Sequence, residues 1–118
     1  MKRFTTYAEL STIIGDSDDV ATVLMEDLRN AHKVKKLGRT VRENIAKKLQ
    51  SLGLGFVGKE LPGYQEHSVR IFRLGTPVAT LINAVMNPGV EHDIIIRNHT
   101  DNEAQQALDR IKEALESA

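Results

Sequence analysis

The chain has 118 residues, 41% of them apolar and 27% charged, and its 16 Lys plus Arg balance 16 Asp plus Glu. These figures fit one ordinary domain over 1–118, exclude disorder, and name no partner through net charge. The absence of cysteine excludes a disulfide framework, thiol catalysis and cysteine zinc sites.

No apolar run approaches the ~18–20 residues that cross a bilayer. Phe4-Thr5-Thr6-Tyr7 follows Met1-Lys2-Arg3 where a signal peptide would be apolar. The expectation is a cytoplasmic domain with no membrane partner.

The zero net charge hides a segregation. Residues 9–27 hold six acids (Glu9, Asp16, Asp18, Asp19, Glu26, Asp27) and no base. Residues 29–73 hold eleven bases and three acids, and residues 91–118 hold seven acids and three bases. Within 33–48, Lys33, Lys35, Lys36, Arg39, Arg42, Lys47 and Lys48 are opposed only by Glu43. Such a cluster makes a positive face that attracts polyanions, unless the acidic flanks pair with it.

The first predicted element is a helix over about 7–14. Thr6 and Glu9 have capping-box spacing, Gly15 is a stop, and Tyr7, Leu10 and Ile14 share a face. A second helix is predicted from Ser17, with Asp18 and Asp19 at its positive end. Its stripe is Val20, Val23, Leu24, Leu28 and Ala31, and its stop is Gly38 or a point near His32. A third runs over about 41–52, with Thr40 and Glu43 as a second capping box and Gly53 as the stop. Val41, Ile45, Leu49 and Leu52 face the core. Arg39, Thr40, Glu43, Lys47 and Gln50 lie opposite, with Arg42 and Lys48 on the flanks.

The period then changes. Strands are predicted over 56–61 and 68–74, joined around Pro62-Gly63 by a polar tip at 60–67. A helix follows from the cap Thr76, with Pro77 at its first position and Val78, Leu81, Ile82 and Val85 as its stripe. Asn87-Pro88-Gly89 breaks it. Residues 93–97 read as a short buried strand. Thr100 and Glu103 form a third capping box, opening a last helix with the stripe Ala104, Ala107 or Leu108, Ile111 and Leu115. That stripe can pack on its own core or on a second copy.

Helix, acidic-to-basic helix, capped basic helix, then a hairpin with a polar tip: over 5–75 this order resembles the winged helix-turn-helix domain. The fold class is then α+β, mainly helical, a winged helix-turn-helix with a β-hairpin wing and additional C-terminal helices. Residues 76–118 are an extension suited to dimerisation. The resemblance places the segment Thr40-Val41-Arg42-Glu43-Asn44-Ile45-Ala46-Lys47-Lys48-Leu49 in the major groove and makes 61–67 the wing. A tip carrying Glu60 and Glu66 departs from the basic wing of that superfamily.

The physics points the same way. A helix about 12 Å across fits a major groove about 12 Å wide. Arg, Lys and Gln side chains bond base edges and phosphates. Thr40 at the helix start suits a phosphate. Arg42 and Lys48 suit phosphates on either side, and Arg39, Lys47 and Gln50 suit base edges. The expected DNA-binding set is Lys35, Lys36, Arg39, Thr40, Arg42, Lys47, Lys48, Gln50 and Tyr64. Five aromatics are too few for the stacked platforms that grip single strands. The expected function is therefore non-enzymatic binding of duplex DNA, as a homodimer and without cofactor, in transcriptional regulation. The alternative is an adaptor of the same fold that binds protein.

Two other patterns are weaker. Gly53-Leu54-Gly55-Phe56-Val57-Gly58 matches GxGxxG, but a helix precedes it and a strand follows, the reverse of a dinucleotide site. Glu91, Asp93 and Arg97 around the expected 94–96 strand leave a remote metal-dependent nuclease option. His32, His67, His92 and His99 have no metal-site spacing and read as surface residues.

Overall fold

The computed structural model describes residues 1–117, and the side chains of residues 1–100 and 105–116. The elements are α1 (Tyr7–Asp16), β1 (Val20–Leu24), α2 (Met25–Ala31), α3 (Arg39–Ser51), β2 (Leu54–Phe56), β3 (Ser68–Arg73), α4 (Pro77–Met86) and α5 (Val90–Ser117). The architecture is α+β and mainly helical, with one antiparallel sheet ordered β1-β3-β2. The chain divides into two compact units, Met1–Ala79 and the residues from Thr80 onward.

In the first unit, α1 starts where its cap predicts. The Glu9 amide donates to Thr6 Oγ1 at 3.1 Å, and the Thr6 hydroxyl lies 3.1 Å from Glu9 Oε1. The helix passes through Gly15 and ends at Asp16. Asp18 and Asp19 stop it, with left-handed φ values of 57° and 71°. Short polar side chains tolerate that conformation, and two such residues in a row cannot continue a helix.

The largest correction lies next. The helix predicted from Ser17 is β1 followed by the seven-residue α2. Val20, Val23 and Leu24 fit a helical stripe, yet Val20, Thr22 and Val23 are β-branched and pair along β3, from Val20↔Phe72 to Leu24↔Ser68. Cross-strand pairing outweighs the local period. α2 then ends at Ala31, where His32 caps it and Lys33 turns the chain at a φ of 59°.

α3 begins at Arg39, with Gly38 as N-cap and no side-chain cap bond. The Thr40–Glu43 capping box therefore does not form. Thr40 sits within the first turn, and Glu43 pairs with Arg39 at 3.2 Å. Ile45 and Leu49 are fully buried as expected, but Leu52 is the C-cap and stays exposed. Gly53, at a φ of 73°, releases the chain into β2.

The first hairpin strand is shorter than predicted. Of residues 56–61 only Phe56 belongs to β2, which pairs Leu54↔Arg73, Gly55↔Phe72 and Phe56↔Ile71. Gly55 is needed there, because a Cβ would stand 2.9 Å from Phe72 Cζ. β3 is the central strand and buries Val69, Ile71 and Phe72. The core joins these strands to Phe4, Leu10, Ile14, Val23, Met25, Leu28, Ile45, Leu49 and Leu54. Each such large side chain contributes about 1.5–3 kcal/mol by leaving water.

α4 keeps its predicted start: Thr76 Oγ1 accepts from the Ala79 amide at 3.2 Å, and Pro77 is the first helical residue. Its stripe is half-buried at Val78, Leu81 and Ile82, but Val85 is exposed.

In the second unit, residues 93–97 are not a strand but part of the 28-residue α5. His92, Ile95 and Ile96 are half-buried while Ile94 and Arg97 are exposed, a helical spacing. Glu91 and Asp93 in the first turn suit the positive helix end. Thr100 opens no helix, and its hydroxyl donates back to the Ile96 carbonyl at 3.0 Å. The side chains of Glu103 and Ala104 lie outside the described residues. Leu108, Ile111 and Leu115 are 53%, 56% and 72% exposed.

Candidate nucleic-acid interface

At about 100° per residue, α3 divides into an inner and an outer side. Ile45 and Leu49 are buried, with Val41, Arg42 and Ala46 half-buried beside them. Thr40, Glu43, Asn44, Lys47, Gln50 and Ser51 are exposed. Asn44 stands mid-way along this outer stripe and was not among the expected site residues. Its place four residues after Thr40 and three before Lys47 was the available signal.

The loop of residues 57–67 lies against α2 and α3. Leu61 is buried in the core. The Met25 amide donates to the His67 carbonyl at 2.9 Å, and the Glu26 amide to the Gln65 carbonyl at 3.0 Å. The loop thus satisfies two of the free N–H groups that open α2. Arg42 Nη1 donates to the Leu61 carbonyl at 3.1 Å.

Two of the concavities beside this loop gather residues of the basic segment. One, of about 240 Å³, gathers Lys35, Lys36 and Tyr64 with Arg29, Gln65 and Glu66. Arg29 is the member that sequence reasoning missed. It bonds Gln65 Oε1 across the concavity and Asn30 Oδ1 at 3.2 Å. Tyr64 is 65% exposed and meets the His67 ring edge-on at 5.3 Å. The other, of about 210 Å³, gathers Arg39, Arg42 and Lys59 with Glu43 and Glu60.

The remaining expected residues lie nearer the C-terminal end of α3. Lys47 and Gln50 are exposed. Lys48 is exposed and holds its ammonium 5.8 Å from the Tyr7 ring centre, a cation–π distance. The Tyr7 hydroxyl lies 2.8 Å from His32 Nδ1, and burial pushes its pKa up to about 12.

The acidic segment faces other cations. Arg3 grips Asp27 with two bonds of 2.7 and 2.8 Å and reaches Glu26 at 3.6 Å. The bond to Asp27, followed by that carboxylate's charge, raises the Arg3 pKa above its ordinary value. Arg73 pairs with Asp19 at 3.3 Å. Among the described residues, Arg39–Glu43 is the one salt bridge that touches the cations of residues 29–48.

The weaker patterns resolve locally. Gly53 and Gly58 have φ values of 73° and 131° and turn the chain around β2. Glu91, Asp93 and Arg97 ride on α5 and not at a strand end. His92 Nδ1 is 2.6 Å from the Asn87 carbonyl. Among the described residues, no three of His, Asp or Glu gather where they would hold a metal ion. No helix among them is long and apolar enough to cross a membrane.

Comparisons with protein-family models, with curated proteins and with solved structures give no match to this chain.

Proposed function

We propose that this chain binds duplex DNA without catalysis, as a winged helix-turn-helix protein suited to transcriptional control. The outer face of α3 enters the major groove, and the basic concavity beside it meets the phosphate backbone. One observation carries this reading. Asp19, Glu26 and Asp27 pair with Arg3 and Arg73, so Lys35, Lys36 and Lys47 keep their charge for a polyanion. The order α1-β1-α2-α3-β2-β3, with β3 between the other two strands, supports the winged-helix type. The exposed Leu108, Ile111 and Leu115 support pairing of two copies through α5.

The test is fluorescence anisotropy with a mixed-sequence duplex at low and moderate salt. Affinity is expected to fall steeply as salt rises, with a log–log slope of about 0.9 per phosphate neutralised. Absence of binding at low salt would refute the DNA reading and turn the α3 face into a protein-docking surface. Light scattering checks the dimer.

A further inference from the structure

Arg42 has the composition of a phosphate ligand and the setting of a brace. It lies on the inner side of α3 and is half-buried. Its Nη1 donates to the Leu61 carbonyl at 3.1 Å. A Cβ on Gly63 would stand 3.6 Å from its Cζ and Nη1, so the guanidinium lies close against the loop backbone. Its Nε is buried and has no partner.

The loop has fixed points on either side of its tip. Leu61 is held by its buried side chain and by Arg42 at its carbonyl. Gln65 and His67 are held by the first amides of α2. Only Pro62, Gly63 and Tyr64 lie between Leu61 and Gln65. Pro62 removes one backbone freedom. Tyr64 is thereby set beside Lys35 and Lys36, at the entry to α3.

We propose that Arg42 is a positioning residue: it holds the Leu61 carbonyl, sets Tyr64 at the DNA face, and neutralises no phosphate itself. The role at the DNA face rests on the proposed function. The hold on the loop does not.

Two arms test it on the full-length chain. In the first, amide hydrogen exchange over residues 57–67 is measured without DNA in the wild type, Arg42→Met, Arg42→Lys and Lys47→Ala. A hydrogen bond from a charged group shifts a local opening equilibrium by roughly tenfold or more. Both Arg42 variants are expected to exchange faster by about that factor, because an ammonium does not reproduce the planar donor fork of a guanidinium. Lys47→Ala is expected to match the wild type. Equal exchange in all four proteins overturns the brace.

The second arm measures duplex affinity against salt for Arg42→Met, Tyr64→Ala and the double variant. The expected result is weaker binding with the salt slope unchanged in Arg42→Met, and no further loss in the double variant beyond Tyr64→Ala. A slope reduced by about 0.9 in Arg42→Met, with additive losses, makes Arg42 a phosphate ligand and overturns the proposal. Faster exchange with additive losses confines Arg42 to loop stability and overturns its role at the DNA face. If the wild type binds no duplex, the DNA role falls with the proposed function, while the exchange arm still decides the hold on the loop.

Discussion

α3 and α5 carry similar apolar stripes, and the fold treats them in opposite ways. On α3, Ile45 and Leu49 disappear into the core and a polar face is left outside. On α5, Leu108, Ile111 and Leu115 keep more than half of their surface exposed. A stripe at helical spacing tells that a helix has a face to cover. Whether that face is covered depends on what the rest of the chain brings to it.

Substitution of the two stripes gives the widest contrast. Leu49→Ala is expected to lower stability by about 2–5 kcal/mol, since it leaves a cavity in a closed core. Leu115→Ala is expected to stay within about 0.5 kcal/mol. Urea unfolding at a low protein concentration measures both, and a large loss from Leu115→Ala would show that α5 is covered under those conditions.

The next effect probes the sheet behind α3. Gly55→Ala pushes a methyl against the Phe72 ring, where 2.9 Å leaves no room. A loss of about 1–3 kcal/mol is expected from overpacking. A thermal midpoint equal to that of the wild type would mean that the ring yields freely.

The outer face of α3 offers the converse test. Lys47→Ala should leave stability within about 0.5 kcal/mol of the wild type while weakening binding to a preferred duplex by about 1–3 kcal/mol, as loss of a base-edge contact does. A change in stability without a change in duplex affinity would return Lys47 to the fold.

The smallest effect is confined to alkaline solution. Burial raises the Tyr7 hydroxyl from 10.0 to about 12, so the folded chain favours the neutral phenol. Its contribution is complete below pH 10 and is lost as pH rises through about 12. Comparing wild type with Tyr7→Phe by denaturant unfolding between pH 9 and pH 12 isolates this part. The two curves should run parallel below pH 10 and converge above it if Tyr7 is the group that ionises.

Some local signals were legible, although the Gly15 stop, the Thr40–Glu43 box and the Thr100 start are not realised in the fold. Thr6 before Tyr7, Thr76 before Pro77, and Gly53 after α3 act through bonds and torsions within a few residues. Each appears where the sequence predicts it. The runs at 20–24 and 93–97 depart from their local patterns in opposite directions. Val20, Val23 and Leu24 satisfy a helical period, and Ile94, Ile95 and Ile96 have strand character, so neither stretch identifies itself. For residues 20–24 the choice was made by β3, more than forty residues away in the chain. The candidate site divides in the same way. That Thr40 and Lys47 face outward follows from helix geometry. That Arg42 turns inward depends on the loop carbonyl of Leu61, and that Lys35, Lys36, Arg29 and Tyr64 share a concavity depends on two segments meeting.

The sequence by itself determined the inner side of α3, the caps of α1 and α4, and the concentration of positive charge in residues 29–48. These rest on covalent spacing and on charge, which no tertiary contact alters. The tertiary structure alone decided which apolar run becomes a strand, which carboxylates are neutralised by Arg3 and Arg73, and which arginine braces a loop. Each of those outcomes needs a partner distant in the chain, and only folding brings it within bonding distance.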